Sequence, residues 1–291
     1  MIQSLKNVSL AEYTYYRIGG IAREVYFPER TSEMLELVQM LISNGSDYFI
    51  IGGGTNVLVG DGYWDGAVII TTHMNSFEAT NQHLVCGSGI ETSKIAEIAL
   101  DYTKTGLEFL YKLPGSIGGA LAGNARFDNK SISDILISVL AVHPQLGTKR
   151  FKTSEMNITY KRTGIIHEGW IICELSLSWK NGDTDTVRKR MEEIERFRTE
   201  NHHFDFPSCG CVFKNDHKNN IQAGRLIDSL GLKGLSVGDA RVSPYHANFI
   251  INTGNATARD VLELIRKVEQ TVLEKTGITL ILEVRTYGNF L

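Results

Sequence analysis

The stretch YFIIGGGTNVLVG, residues 48–60, decides the fold because it joins a short apolar strand to a glycine-rich turn. The preceding stretch, TSEMLELVQMLISNG at 31–45, carries apolar residues at the spacing of a helix. We expect Thr31 or Ser32 to cap this helix and Gly45 to end it. A helix followed by a strand and a glycine turn predicts a βαβ-like opening of the first domain.

Length and composition limit the classes of protein to which this chain can belong. At 291 residues the chain is too long for one small core, so two or three domains are expected. A net charge of -3 provides no basic field, which argues against nucleic acid as a partner. No run approaches the roughly 20 apolar residues of a membrane span, and residues 1–20 lack the apolar stretch of a signal peptide. We therefore predict a cytoplasmic protein without a membrane partner.

The glycine-rich turn is the first candidate binding loop. Gly52, Gly53 and Gly54 have no β-carbons, so their backbone N–H groups can converge on an anion without steric hindrance. Asn56 adds a polar side chain beside them. Many glycine-rich turns only reverse the chain, and that reading stays open here.

A second turn of small residues lies in LPGSIGGALAGNA at 113–125. Pro114 and Gly115 favour a turn, and Ser116 offers a hydroxyl group. A segment of tight helix packing is the alternative interpretation. Two such loops in one α+β unit favour a dinucleotide site, but the spacing is not the GxGxxG of a Rossmann fold.

The rest of the chain predicts two further regions. Alternating and β-branched patterns between 135 and 180 indicate an antiparallel sheet, and TVRKRMEEIERFRTE at 186–200 indicates a charged helix. A smaller α+β region begins near 207. Its last helix is expected to start at Thr257 with Asp260 in a capping box and to stop at Gly277. ITLILEVRTYG, residues 278–288, is expected to be a closing strand.

The cysteines of PSCGCVFKND, residues 207–216, raise the question of a metal or redox pair. Cys209 and Cys211 are one residue apart, and His202 and His203 lie nearby. CxC spacing is unusual for zinc, and no second ligand pair is evident, so we predict no metal site. A buried thiol and a catalytic thiol remain as interpretations.

The chain resembles the UDP-N-acetylenolpyruvoylglucosamine reductase family, the FAD enzymes of peptidoglycan precursor synthesis, and in particular its compact second type. Seven motifs carry the resemblance in order along the chain: YRIGG at 16–20, IGGGTNVLV at 51–59, GLEFLYKLPGSIGGALAGNA at 106–125, PSCGCVFKN at 207–215, AGRLIDSLGLKG at 223–234, VSPYHANFIIN at 242–252 and LILEVRTYG at 280–288.

The resemblance implies an α+β protein with an FAD-binding fold of the vanillyl-alcohol-oxidase type. Residues 1–71 and 72–185 would form the two-domain FAD module, and 186–291 a smaller α+β domain for the UDP-sugar. The implied reaction is the NADPH-consuming reduction of UDP-N-acetylglucosamine enolpyruvate to UDP-N-acetylmuramate, with non-covalent FAD. We expect a monomer.

Three catalytic residues follow from the resemblance. Cys211 stands where the family has a serine that donates a proton, and a thiol, with an unperturbed pKa near ~8.5, is a stronger acid than an alcohol. Glu283 matches a glutamate that assists protonation. Lys161 replaces an arginine that neutralises the substrate carboxylate, and Arg162 follows it. Cys209 is interpreted as a packing residue.

Binding residues are also carried over from the family. Those expected to hold FAD are Gly52, Gly53, Gly54, Thr55, Asn56, Val57, Pro114, Gly115, Ser116, Gly118, Gly119, Asn124 and Ile172. Those expected to contact the substrate are Arg162, Lys214, Asn215, Lys233, His246 and Asn248. From the residues alone, a solvated loop charge is the favoured interpretation of Lys233 and a core histidine that of His246.

Cys211, Lys161 and Arg126 depart from the family pattern. Two alternatives therefore stay open. One is a divergent flavin oxidoreductase of the same fold that acts on another sugar or alcohol. The other is a non-catalytic protein that binds FAD or a nucleotide sugar.

Overall fold

The computed structural model describes residues 2–290, and its backbone separates into two compact units. The first unit comprises the residues up to Leu5, Glu24–Gly53 and Gly66–Phe197, and the second comprises Lys6–Arg23, Gly54–Asp65 and the residues from Arg198 onward. The predicted three-domain division, with boundaries after 71 and 185, stays a prediction. The first predicted domain, residues 1–71, is divided between the two units, because Gly53 belongs to the first unit and Gly54 to the second.

Helices occur in both units. Within residues 2–290 they are α1 (Thr31–Ser43), α2 (Thr92–Asp101), α3 (Ile117–Ala122), α4 (Ile132–Ile135), α5 (Gly164–His167), α6 (Thr184–Glu200), α7 (Ala223–Ser229) and α8 (Ala258–Thr276). None of these helices is long and apolar enough to cross a bilayer.

The strands are short, and most belong to small sheets. The first twelve are β1 (Gln3–Ser9), β2 (Ile21–Phe27), β3 (Tyr48–Ile51), β4 (Val57–Val59), β5 (Trp64–Ile70), β6 (Phe77–Ala79), β7 (His83–Gly87), β8 (Lys104–Thr105), β9 (Arg126–Phe127), β10 (Lys130–Ser131), β11 (Leu136–His143) and β12 (Gly147–Lys152). The others are β13 (Ile158–Thr159), β14 (Arg162–Thr163), β15 (Ile171–Ser178), β16 (Lys180–Asn181), β17 (Ser208–Cys211), β18 (Ser236–Val237), β19 (Ala240–Val242), β20 (Phe249–Asn252) and β21 (Arg285–Tyr287).

The first unit is built around a five-stranded sheet of order β12-β11-β15-β7-β6. Its pairs are antiparallel, which confirms the sheet predicted between 135 and 180. Met34 and Leu37 of α1 share a buried cluster with Val142 and Cys173 of this sheet. A parallel β3–β5 pair brings the chain to the glycine turn at the end of β3.

The second unit contains a four-stranded sheet of order β17-β20-β19-β18. The long helix α8 covers it, since Val261 and Leu264 of α8 lie in one buried cluster with Val242 and Ile250 of the sheet. A separate parallel pair, β4 with β21, joins the segment after the glycine turn to the last residues of the chain.

The predicted helix ends were correct for α8 and wrong at the start of α1. Thr257 caps α8 in a capping box with Asp260, and Gly277 follows it in the left-handed conformation with φ of 71°. In α1 the N-cap is Arg30 rather than Thr31 or Ser32, and its side chain makes no capping bond. The Glu33 carboxylate instead accepts hydrogen bonds from the Glu29 backbone N–H and the Arg30 side chain, so it ties the residues before the helix to its first turn.

The closing strand was predicted too long. Only Arg285–Tyr287 of the stretch 278–288 forms a regular strand, and it pairs with β4. Residues 281–284 instead bond to the backbone that follows Cys211, with one isolated bridge between Phe213 and Leu282. This segment therefore serves the candidate active site rather than a sheet.

Candidate active site

The two small-residue loops of the first unit meet through the hydroxyl group of Ser116. Its Oγ accepts hydrogen bonds from the backbone N–H of Gly53 at 3.3 Å and of Gly119 at 3.4 Å. Ser116 is thereby the N-cap of α3, since it satisfies one of the N–H groups left free at the start of that helix. One side chain thus joins the turn after β3 to the start of α3.

The glycines of these loops are required by loop packing. A β-carbon on Gly53 would lie 2.5 Å from the Cα of Gly115, and one on Gly52 would lie 2.4 Å from the Ser116 Oγ. Gly118 is similarly confined, with 2.7 Å to the Ser88 Cβ. The sequence argument expected the missing β-carbons to make room for an anion. In the structure they make room for the neighbouring loop.

A hairpin formed by β13 and β14 carries Lys161 in its two-residue turn. Lys161 is half-buried and has φ of 55°, a left-handed conformation that is uncommon for a side-chain-bearing residue, whereas Arg162 is exposed. The Thr163 Oγ1 donates to the Leu121 carbonyl at 2.6 Å, which anchors the hairpin to α3. Lys161 therefore lies on an element fixed to the helix that Ser116 caps.

Asn124 and Ile172 are part of the same scaffold. The Asn124 Nδ2 donates to the Thr159 carbonyl at 3.3 Å, and its Oδ1 accepts from the Ser133 N–H at 3.1 Å. Ile172 is buried in β15 within the core of the first unit. Direct contact of either with FAD stays a prediction. Arg126 is exposed at the start of β9.

The last glycine of the turn belongs to the second unit and has a different constraint. Gly54 has φ of 68°, and a β-carbon there would lie 2.1 Å from the carbonyl oxygen of Tyr13. The Gly54 carbonyl accepts from the Tyr15 N–H at 2.9 Å. After Thr55 and Asn56 the chain enters β4 at Val57, which is buried.

Asn56 connects this turn to Glu283. Its Nδ2 donates to the Glu283 carbonyl at 3.4 Å, and its own carbonyl accepts from the Arg285 N–H at 3.2 Å. The Asn56 Oδ1 is buried, and no hydrogen-bond donor reaches it from any residue in 2–290. An unpaired buried carbonyl oxygen is costly, so this atom fits a donor from a bound molecule. A hydroxyl or imide N–H, which FAD carries, would satisfy it; a phosphate oxygen would not.

A β-bulge separates the two cysteines of the CxC motif. Ser208 pairs with Ile251 and Cys211 with Phe249, so Cys209 and Gly210 together oppose a single residue of β20. Gly210 has φ of 74°, the left-handed conformation that glycine adopts at no steric cost. Cys209 is 4% exposed, and burial raises its pKa to about 12, whereas Cys211 is partly exposed. The two thiols therefore have different environments, as expected for one packing and one reactive thiol.

Cys211 and Glu283 lie on two backbone segments that are bonded to each other. The Glu283 N–H donates to the Val212 carbonyl at 2.8 Å, and the Lys214 N–H donates to the Ile281 carbonyl at 2.8 Å. Two residues that follow Cys211 thus bond to Glu283 and to Ile281 of the other segment. The two candidates therefore lie on adjacent backbone segments, and their shared role in proton transfer stays a prediction.

The predicted substrate residues of the second unit differ in their burial and in the protein groups that their side chains contact. Lys233 forms an ion pair with Asp228 at 2.8 Å on a largely solvated surface. The Asn215 Oδ1 accepts from the Ala223 N–H at the start of α7. His246 is half-buried, and burial lowers its pKa, which favours the neutral imidazole near pH 7. Lys214 is half-buried beside Phe213.

The whole chain matches known reductases. A family model described as UDP-N-acetylenolpyruvoylglucosamine reductase, C-terminal domain, matches residues 202–287, and one described as FAD binding domain matches 22–148. A protein of Clostridium novyi named UDP-N-acetylenolpyruvoylglucosamine reductase is 34% identical over 97% of this chain and 91% of its own length. One of the same name from Pediococcus pentosaceus is 34% identical over 99% of this chain and 95% of its own length. The chain belongs to the UDP-N-acetylenolpyruvoylglucosamine reductase family.

A solved structure agrees with this membership. The crystal structure of UDP-N-acetylenolpyruvylglucosamine reductase from Thermus caldophilus superposes with a TM-score of 0.82 at 30% identity and covers 99% of both chains. The predicted FAD-binding fold of the vanillyl-alcohol-oxidase type with an added substrate region is confirmed, as are the oxidoreductase class and the FAD cofactor. The roles of individual residues stay predictions.

One structural residue in each unit escaped the sequence argument. The CxC motif gives Gly210 no role of its own, and its signal as a bulge glycine depends on the strand Ser208–Cys211, which is not predicted from the sequence. Thr163 gave no comparable signal, because its bond to Leu121 joins residues that lie 42 positions apart.

Proposed function

We propose that this chain reduces UDP-N-acetylglucosamine enolpyruvate to UDP-N-acetylmuramate, and that Cys211 supplies the proton that completes the reaction. The single observation that carries the residue assignment is the backbone bond between Glu283 and Val212, which places the Cys211 segment directly beside Glu283. When bound, FAD carries the hydride from NADPH to the methylene carbon of the enolpyruvyl group.

Proton delivery is the task of the protein itself. After hydride addition, the adjacent carbon of the substrate holds an electron pair that is conjugated with the carboxylate. The Cys211 thiol gives its proton to this carbon, and the Cys211 sulfur is left as a thiolate that regains a proton from solvent. Partial exposure of Cys211 fits both steps. Cys209 lacks access to substrate because it is buried.

Charge on the substrate carboxylate is neutralised by Lys161. Its half-buried position in a hairpin anchored to α3 supports this role over that of the exposed Arg162. A lysine supplies the charge without the bidentate fork of an arginine. Glu283 orients the reacting carbon and assists reprotonation of Cys211.

FAD binding involves both glycine-rich loops and Asn56. The paired loops around Ser116 present backbone N–H groups in a confined turn, a setting that suits a pyrophosphate. The unpaired Asn56 Oδ1 would accept a hydrogen bond from a donor of FAD or of the substrate. We therefore place Asn56 at a hydroxyl or N–H group of the ligand rather than at its phosphates.

The remaining features complete the proposal. Lys214, Asn215, Lys233 and His246 supply polar groups for the UDP-sugar. The protein acts as a monomer in the cytoplasm, without nucleic acid or membrane as a partner.

The test is a pair of anaerobic half-reactions on purified protein that has been reconstituted with FAD. NADPH should bleach the flavin absorbance, and UDP-N-acetylglucosamine enolpyruvate should then restore it. UDP-N-acetylglucosamine, which lacks the enolpyruvyl group, is the control and should leave the flavin reduced. A flavin that stays oxidised with NADPH would indicate a non-catalytic binder. Reduction without reoxidation by the enolpyruvyl compound would indicate a flavin oxidoreductase for another substrate.

A further inference from the structure

The backbone after Cys211 leaves its sheet but remains fixed on both sides. Strand β17 ends at Cys211, where it pairs with Phe249. On one side the Val212 N–H donates to the Asn248 carbonyl at 2.8 Å. On the other side the Val212 carbonyl accepts from the Glu283 N–H at 2.8 Å.

Asn248 extends this contact with its side chain. The Asn248 Oδ1 accepts from the Phe213 N–H at 2.9 Å, and its Nδ2 donates to the Phe213 carbonyl at 2.8 Å. The amide group therefore bonds to one residue as a neighbouring strand would, with one acceptor and one donor. Asn248 is 3% exposed, so both polar atoms of its side chain are directed at the Phe213 backbone.

We propose that Asn248 is a positioning residue that fixes Cys211 relative to Glu283, and that it is not a ligand of the UDP-sugar. This inference rests on the proposed function, because it assumes that Cys211 is the proton donor. Residues 211–214 are held between Asn248 and residues 281–284. Loss of the two Asn248 side-chain bonds therefore loosens the segment at Phe213, while the backbone bonds of Val212 to Asn248 and Glu283 remain. The direct substrate contact that the family resemblance implies is disfavoured, because the amide is buried and both of its polar atoms bond to Phe213.

The decisive variant is Asn248→Asp. It keeps the shape and an acceptor for the Phe213 N–H, but it replaces the donor with a carboxylate oxygen that faces the Phe213 carbonyl. Misplacement of a reacting group by about 1 Å can cost ~100-fold in rate. We expect reoxidation of the reduced flavin at saturating substrate to slow by about 10- to 100-fold, with the substrate concentration for half-maximal rate and the NADPH half-reaction unchanged.

Asn252→Asp is the matched control. Asn252 lies on the same strand, is 4% exposed and donates from Nδ2 to the Tyr16 carbonyl at 3.1 Å, while its Oδ1 accepts from Gly254 and Ala256. Asn252 is therefore, like Asn248, a buried amide that both donates and accepts, but its side chain bonds to Tyr16, Gly254 and Ala256 and not to Phe213. A slowing as large in Asn252→Asp as in Asn248→Asp would show a general loss of stability and overturn the proposal. So would a rise in the half-saturating substrate concentration with an unchanged maximal rate.

A readout independent of turnover separates this inference from the proposed function. The rate at which iodoacetamide alkylates Cys211, followed by mass spectrometry of the peptide, should change at least about 3-fold in Asn248→Asp and stay constant in Asn252→Asp. If Cys211→Ala proves fully active while this shift persists, the proton-donor assignment fails and the positioning by Asn248 stands. An alkylation rate that is the same in all three proteins would overturn the positioning role.

Discussion

The two glycine-rich loops of the first unit pack so closely that they leave no room for β-carbons, whereas the Cys211 segment of the second unit is held by directed hydrogen bonds from the backbone and from the Asn248 side chain. In the first unit Gly53 packs against Gly115, and one hydroxyl, that of Ser116, bridges the loops. In the second unit the amides of Asn56 and Asn248 bond to the backbones of Glu283 and Phe213. Substitutions should therefore act through steric exclusion in the first unit and through loss of directed hydrogen bonds or chemistry in the second.

The largest effect is expected for Cys211→Ala in the second unit. Removal of a general acid costs roughly 10²–10⁴-fold, so reoxidation of the flavin by substrate should slow by this amount while reduction by NADPH is spared. Cys211→Ser should recover much of the rate, because a hydroxyl can also donate a proton. Stopped-flow measurement of both half-reactions tests whether Cys211 is the proton donor. Equal reoxidation rates in wild type and Cys211→Ala would exclude the thiol and leave Glu283 as the candidate acid.

Gly53→Ala tests the steric character of the first unit. The added β-carbon would lie 2.5 Å from the Gly115 Cα, and forced overpacking costs about 1–3 kcal/mol. Because the proposed FAD site depends on close contact between the loops, forcing them apart should raise the dissociation constant about 5- to 100-fold, as measured by flavin fluorescence in a titration. Gly123→Ala is the control, since nothing lies within 4 Å of its added β-carbon. An unchanged FAD affinity in Gly53→Ala would mean that loop contact does not shape the cofactor site.

Gly210→Ala tests the left-handed backbone conformation without a steric clash, because nothing lies within 4 Å of a β-carbon there. The left-handed conformation costs a non-glycine residue about 1–2 kcal/mol, so the melting temperature should fall by a few degrees. Reoxidation by substrate should slow more than reduction by NADPH, since the bulge aims Cys211. A loss of stability with both half-reactions unaltered would separate the bulge from catalysis.

The smallest effect concerns acid stability of the second unit. Burial, together with Arg198 and His246, lowers the pKa of His203 to about 4, whereas an unfolded histidine has a pKa near 6.5. Between these values the unfolded chain binds a proton that the folded chain does not, so stability should fall as the pH drops from about 6.5 to about 4. Urea unfolding across this range should show a smaller loss in His203→Gln than in wild type. The exposed His167→Gln should behave as wild type, and identical pH profiles for all three proteins would contradict the assignment.

Local signals in the sequence predicted some elements fully and others in part. The ends of α8 could be predicted because Thr257, Asp260 and Gly277 act on their own helix. The start of α1 could not, because Thr31 already lies in the first turn, and the Glu33 carboxylate bonds to Glu29 and Arg30 before the helix in place of a side-chain cap. The closing strand was overestimated, because an alternating apolar pattern reports burial, and residues 281–284 are paired to a loop instead of a sheet.

The sequence by itself determined the family, the cofactor class, the two glycine-rich loops and the candidate thiol, because these depend on residue types in a fixed order along the chain. Only the tertiary structure decided how they are held. It shows that Gly52 and Gly53 make room for another loop, that Gly210 separates the two cysteines, and that the Asn248 side chain bonds to the Phe213 backbone. The Asn248 bond joins residues 35 positions apart, and the Asn56 bond spans 227. Such pairings follow from the packing of distant segments, and no local pattern of side chains encodes them.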